Sequence, residues 1–160
     1  MKTIRAAVFL VALVALARPS FADPIDDADN ARNLAEIGRS VALGADEETA
    51  GVKSSANNSA LYAFSRYTLY WLPIYGANPA VVAKLDAGMI KMAEGDDIRD
   101  GFWASVYGES GGDAYVVDAE ADYTNLMYVA AKDKFDTAKS RYWNAHQSTE
   151  LARAKYVEAN

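Results

Sequence analysis

The residues able to do chemistry are few, and their types narrow the choice. His146 is the only histidine, and there is no cysteine. A zinc site without a second His or any Cys rests on carboxylates, an uncommon donor set. A Ser-His-Asp triad would have to use His146, and no G-x-S-x-G turn presents a nucleophile. Haem is the sharper thought. Exported four-helix bundles can hold b-type haem between one His and one Met, and Met89, Met92 and Met127 accompany His146. Covalent attachment is excluded by the lack of C-x-x-C-H. Against haem, His146 falls in a column of basic residues with Lys139 and Arg153, where a solvated or helix-paired histidine is expected.

The acidic residues are more numerous and less pointed. Asp96-Asp97-Ile98-Arg99-Asp100-Gly101 invites a calcium loop, which needs oxygen ligands at its third position and a bidentate Glu at its twelfth. Those positions hold Ile98 and Tyr107, so the segment reads as capping between two helices. Asp118 with Asp122, or Glu120 with Asp113, have a helical spacing that acid–base work could use, but nothing sets them apart from solvated helix faces. We nominate no catalytic residue and no metal site. The aromatic residues are the stronger signal. Tyr62, Phe64, Tyr67, Tyr70, Trp71 and Tyr75 put six rings in fourteen residues, more than one helix face needs. Two readings stand: these rings interlock with Tyr128, Phe135 and Tyr142 in a core, or Tyr62, Tyr67, Tyr70, Trp71 and Tyr75 form a surface for a ligand or partner.

What positions these residues is a set of helices, led by the C-terminal stretch. Asp113–Asn160 contains neither Gly nor Pro. Counting from Ala114 in alternating steps of three and four reaches Ala114, Val117, Ala121, Thr124, Tyr128 and Ala131. It continues through Phe135, Ala138, Tyr142, Ala145, Thr149, Ala152 and Tyr156, without meeting a charge. This seam predicts one long helix over about 113–158, with Gln147-Ser148 as its weakest point. Small residues at alternate seam positions admit a close neighbour, and the absence of Leu argues against a parallel zipper. The basic residues of the stretch, Lys132, Lys134, Lys139, Arg141, Arg153 and Lys155, all flank the seam. Residues 23–110 hold fourteen acidic and seven basic side chains, so an intramolecular, antiparallel neighbour is favoured and the chain is read as a monomer.

Ahead of this lie shorter helices. The first is expected over Pro24–Leu43, with Ile25, Ala28, Leu34, Ile37 and Val41 as its apolar stripe. Gly44–Ser59 reads as a flexible connection with at most a short helical turn. A second helix starts near Asn58 or Ser59 and is ended or kinked by Pro73. A third starts at Asn78-Pro79 and is closed by Gly95, and a fourth spans Asp97–Tyr107. Gly108-Glu109-Ser110-Gly111-Gly112 is a turn, and Asp113 caps the long helix. No strand pattern competes. The expected fold is all-α: a helical bundle of about five helices, with the long C-terminal helix packed antiparallel against shorter N-terminal ones.

The first 22 residues read as an export signal. Lys2 and Arg5 precede the apolar run Ala6–Ala17, and Ser20-Phe21-Ala22 supplies small residues for cleavage before Asp23. Residues 23–160 then form a single helical domain. The mature charge is 13 basic minus 22 acidic residues, or −9, which disfavours nucleic acid and anionic lipid as partners. Together these features predict a periplasmic or secreted protein with no membrane insertion after cleavage. Scarce catalytic residue types beside a long seam and an aromatic cluster point to a non-catalytic binding or interaction protein of the bacterial envelope, chaperone-like or adaptor in role. A bundle carrying a small ligand or b-type haem is the alternative. The protein or small-molecule partner is not specified by the sequence.

Overall fold

The computed structural model describes residues 23–160, so the expected export signal lies outside the described residues. Those residues are all-α, and a long C-terminal helix packs against the N-terminal ones, as the sequence predicts. Five α-helical segments are joined into three rods. Helix α1 spans Pro24–Arg66 and continues through a π-helical turn, Tyr67–Trp71, into the single-turn α2, Leu72–Tyr75. Helices α3 (Pro79–Tyr107) and α4 (Gly112–Thr124) make the second rod, and α5 (Tyr128–Ala159) the third.

The first rod starts on the expected signals. Asp23 Oδ1 accepts from Ile25 N–H at 3.0 Å, Pro24 occupies the first turn, and Asp26 and Asp27 lie at the positive end of the helix dipole. It does not stop at Leu43. The stretch expected as a flexible connection is helical throughout, because Asp46, Thr49 and Ala56 there are buried against the rest of the bundle. That packing outweighs the helix penalty of Gly44 and Gly51, about 1 kcal/mol each. Nor does Pro73 end the rod. Leu72 N–H reaches back five residues to the Tyr67 carbonyl, and this widened turn relieves the crowding a proline ring imposes on the preceding carbonyls. Gly76, at φ 76°, finally turns the chain, and Asn78 caps α3 by accepting from Ala80 and Val81 N–H.

The bundle runs up, down, up. Tyr142 packs on Gly38 and Thr49 hydroxyl reaches Thr149 carbonyl at 3.4 Å, so α1 and α5 are parallel. Gly95 meets Tyr156 while Gly101 lies near Ser148, so α3 runs antiparallel to α5. Helix α4 is antiparallel to α1 and to α5: Arg39 pairs with Asp113, Arg32 with Glu120, and Lys134 with Asp122. The antiparallel neighbours of the C-terminal helix are therefore α3 and α4, not α1.

The single helix expected over 113–158 is broken at Asn125–Met127, and the halves fold into a hairpin. Neither Gly nor Pro marks the break. Leu126 instead adopts φ 62°, with its N–H on the Tyr123 carbonyl and Met127 N–H on that of Asp122. A left-handed conformation costs a side chain with a Cβ about 1–2 kcal/mol. Closing the hairpin places Gly112 and Ala119 against the rings of α5, which offsets it. Leu126→Gly should therefore raise stability by roughly 0.5–1 kcal/mol, since the side chain is 72% exposed and packs on little. A lowered melting midpoint in that variant would count against strain at this turn.

Beyond the hairpin, the seam holds. From Ala131 to Tyr156 every seam residue is buried, and α5 buries nothing else; it does not break at Gln147-Ser148. Before the hairpin it fails, with Val117, Ala121 and Thr124 exposed, because the turn at Asn125–Met127 resets the helical phase. On α1 the stripe also differs. Ala28 is buried, but Ile25, Leu34, Ile37 and Val41 are exposed, and Ala31, Ala35, Gly38 and Ala42 face inward. The rings of α5 need small partners, so bulky aliphatics are turned outward. Phe135 packs with Ala31 and Ala119, Tyr142 with Ala35, Ala42, Phe102 and Val106, and Tyr156 with Ala56. Gly95, expected as a helix end, lies within α3 where Tyr156 leaves no room for a side chain.

Candidate functional site

Most of the acidic residues that could have been chemical are engaged in holding the rods together. Arg39 donates to both carboxylate oxygens of Asp113, at 2.8 and 3.0 Å, and the Tyr142 hydroxyl adds a third bond at 2.7 Å. The Arg39 hydrogen bonds hold the Asp113 carboxyl below its usual range, while burial and the carboxylate push the Tyr142 phenol up. Asp113 thus ties three helices together; the backbone cap of α4 falls to Gly111 instead. Higher in the bundle, Arg99 forks onto Asp46 at 2.6 and 2.9 Å. Burial works to raise the Asp96 carboxyl, but hydrogen bonds from Lys53 and the Tyr156 hydroxyl bring it below its usual range.

These pairings account for most of the acidic candidates. Asp122 is bound by Lys134 and Glu120 by Arg32, leaving Asp118 alone exposed on that face. The segment Asp96–Gly101 is continuous helix rather than a loop or a cap. Among the described residues no three His, Asp or Glu side chains gather as metal ligands do. His146 stands edge-on to Trp143, with ring centroids 5.7 Å apart, and its Nδ1 is buried without a partner. The methionines do not converge on it. Met92 packs beside Tyr156, ten residues and thus about 15 Å further along α5, and Met127 lies about 28 Å the other way. Met89 is 62% exposed on the upper half of α3.

The aromatic candidates gather at one end of the molecule. Ala159 ends α5 beside Gly88, so the first rod from about residue 60 and the start of α3 project beyond it as a two-helix tip. Its length is about 24 Å, from sixteen residues at ~1.5 Å each. Tyr62, Tyr70, Trp71 and Tyr75 are 54–72% exposed there. Tyr67 alone is buried, and its hydroxyl accepts from Asn78 N–H at 2.8 Å, fastening the turn. The expected interlock with Tyr128, Phe135 and Tyr142 is therefore absent: those rings sit in the body, levels away along the bundle axis. Trp71 and Tyr75 lie 5.0 Å apart, and the Arg66 guanidinium rests over Tyr62 and Tyr70.

Two concavities of the tip are rich in rings and apolar side chains. A cleft of about 470 Å³ is lined by Tyr67, Trp71, Tyr75, Asn78 and Val81, and an apolar groove of about 290 Å³ runs between Leu61, Phe64, Leu85 and Met89. Aliphatic residues not singled out in the sequence complete the surface: Leu69 and Ile74 are both 69% exposed. Their signal lay in the charges. Between Ser54 and Ala83 the only charged residue is Arg66, and no acid occurs between Glu48 and Asp86. A tract of that kind buries itself or binds something. No known protein family, curated protein or solved structure matches the chain.

Proposed function

We propose that the chain is an exported, non-catalytic binding protein of the bacterial envelope that works as an adaptor or chaperone-like holder through its aromatic tip. The observation that carries this reading is the exposure of Tyr62, Tyr70, Trp71 and Tyr75 on a projection that the body leaves uncovered. Export is read from the signal-like residues 1–22. The body supports the same reading by its construction: ion pairs and ring notches make it a stiff handle, and its acidic candidates are used in tying helices. Large apolar surface at one pole of such a handle is the arrangement of an interaction protein. Carriage of a small apolar or aromatic ligand is the second reading, favoured by the cleft beside Trp71.

A photoreactive residue placed at Tyr75, compared with one at Glu47 on the body, tests this in the exporting cell; both positions are exposed. The expected result is adducts specific to the tip position. Equal labelling at the two positions overturns the assignment of the tip as the working surface.

A further inference from the structure

The distribution of side chains around the tip narrows what it binds. Leu69, Tyr70, Trp71, Leu72, Ile74 and Tyr75 are all exposed within seven residues of one helical rod. Successive helical residues point about 100° apart, so these side chains surround the rod. A protein partner docked on one side would cover only part of that circumference. A helix apolar on every side matches a medium that encloses it. The opposite pole differs: Leu126, Met127 and Val129 are exposed there too, but Asp133 lies among them.

Charge points the same way. Arg66 and Lys84 make no ion pair among the described residues. Arg66 lies ten residues before the Gly76 turn, about 15 Å behind the apex, and Lys84 lies further back, across from Ala60 and Ala63. Between them no residue is charged. The tip is therefore an uncharged, ring-rich cap with two cations behind it, Arg66 nearer the apex and Lys84 about one helical turn further back. Resting on the deduced binding role of this surface, we infer that the tip inserts end-on into the headgroup region of a lipid bilayer. Ile74 and Tyr75, next to the apex, go deepest, Trp71 and Leu72 follow, Leu69 lies at the interface, and Arg66 behind them meets lipid phosphate.

The depth fits. Interfacial apolar segments bury roughly 5–10 Å, less than the distance from apex to Arg66. The turn is prepared for it, since Asn78 N–H is bonded to Tyr67 and Gly76 N–H to the Leu72 carbonyl. No helix among the described residues is long and apolar enough to cross a membrane, so this is docking and not spanning. The mature charge of −9 argued against anionic lipid, but that count averages over the chain. Between Glu48 and Asp86 the chain carries Lys53, Arg66 and Lys84 and no acid, so the end that meets lipid is locally basic.

The test uses mature protein with Trp103→Phe and Trp143→Phe, which leaves Trp71 as the only indole. It is mixed with vesicles of equal parts phosphatidylcholine and phosphatidylglycerol. The expected result is a blue shift of Trp71 emission, quenching by brominated lipid, and co-sedimentation. Leu69→Asp with Ile74→Asp should weaken vesicle binding by at least about tenfold, with helicity and melting midpoint kept because both side chains are exposed. Trp71 emission unmoved by vesicles, with tip-specific crosslinking at Tyr75 retained, overturns the bilayer and leaves the binding surface standing. A blue shift without lipid that grows with protein concentration assigns the tip to a second copy and also overturns the bilayer. Vesicle binding undiminished by the paired Asp substitutions overturns bilayer docking through the tip.

Discussion

Tyr142→Ala is expected to lower the free energy of unfolding by ~3–5 kcal/mol, a large part of the ~5–15 kcal/mol typical of a domain. The ring is fully buried and is held by three helices at once. On one side a side chain at Gly38 would come within 3.4 Å of Tyr142 Cβ; on another, one at Gly112 would enter the ring itself. Neighbours this constrained cannot collapse into the space a lost ring leaves, so the cavity cost is retained. The substitution also strips one partner from Asp113, although Arg39 still holds both of its oxygens. Tyr142→Phe separates the two effects. It keeps the ring and removes the hydroxyl, and should cost only about 0.5–1.5 kcal/mol. Denaturant unfolding of both variants checks this, and equal losses would show that the hydrogen bond, not the ring, is the larger contribution.

The same residue shows how far the sequence could be read. Rings and small residues alternating from Ala131 to Tyr156 without a charge could belong only to a buried helix face, and that face is found intact. Continuation of the count through Tyr123–Tyr128 was misleading, because a left-handed Leu leaves no mark of the kind Gly would. Glycine misled in the other direction. Gly44 and Gly51 face open space and interrupt nothing, and Gly95 is a notch for a ring from another helix. Each was legible only as a weakness in local propensity. The stripe on α1 failed for a related reason: hydrophobicity ranks Leu34 and Ile37 above Ala35 and Gly38, yet volume decides which of them fits beneath Tyr142.

The candidate surface was legible in composition and misplaced in space. Six rings in fourteen residues signalled Tyr62–Tyr75. Whether they face inward depends on where α5 ends, and that depends on the hairpin at Asn125–Met127. A helix running unbroken from 113 would have offered those rings an additional neighbour. With the chain folded back, Ala159 stops beside Gly88 and the first rod outruns its partners. The low charge from Ser54 to Ala83 carried the information that this end differs from the rest, but charge alone could not distinguish a core from a tip.

Gly95→Ala should destabilise the parent chain by about 1–2 kcal/mol and become stabilising once Tyr156 is replaced by Leu. Two effects of opposite sign meet at this position. Ala in place of Gly within a helix contributes up to ~1 kcal/mol of stability. Against it, the new Cβ would sit 2.5 Å from Tyr156 Cε1, with Cδ1 and Cζ at 2.8 and 2.9 Å. Relief would require the ring to move, and the ring is tied. Its hydroxyl is 2.5 Å from Asp96 Oδ1, Lys53 lies over its face, and Ala56 and Ala152 close its sides. Overpacking of about 1–3 kcal/mol therefore exceeds the propensity gain while the ring is present. With Leu at 156 the clash is gone and only the propensity gain remains. The four chains of this cycle, unfolded by denaturant, give the coupling directly. If Gly95→Ala shifts stability by the same amount and sign in both backgrounds, the glycine is not a notch for the ring, and the close approach of α3 to α5 on which the bundle depends has another cause.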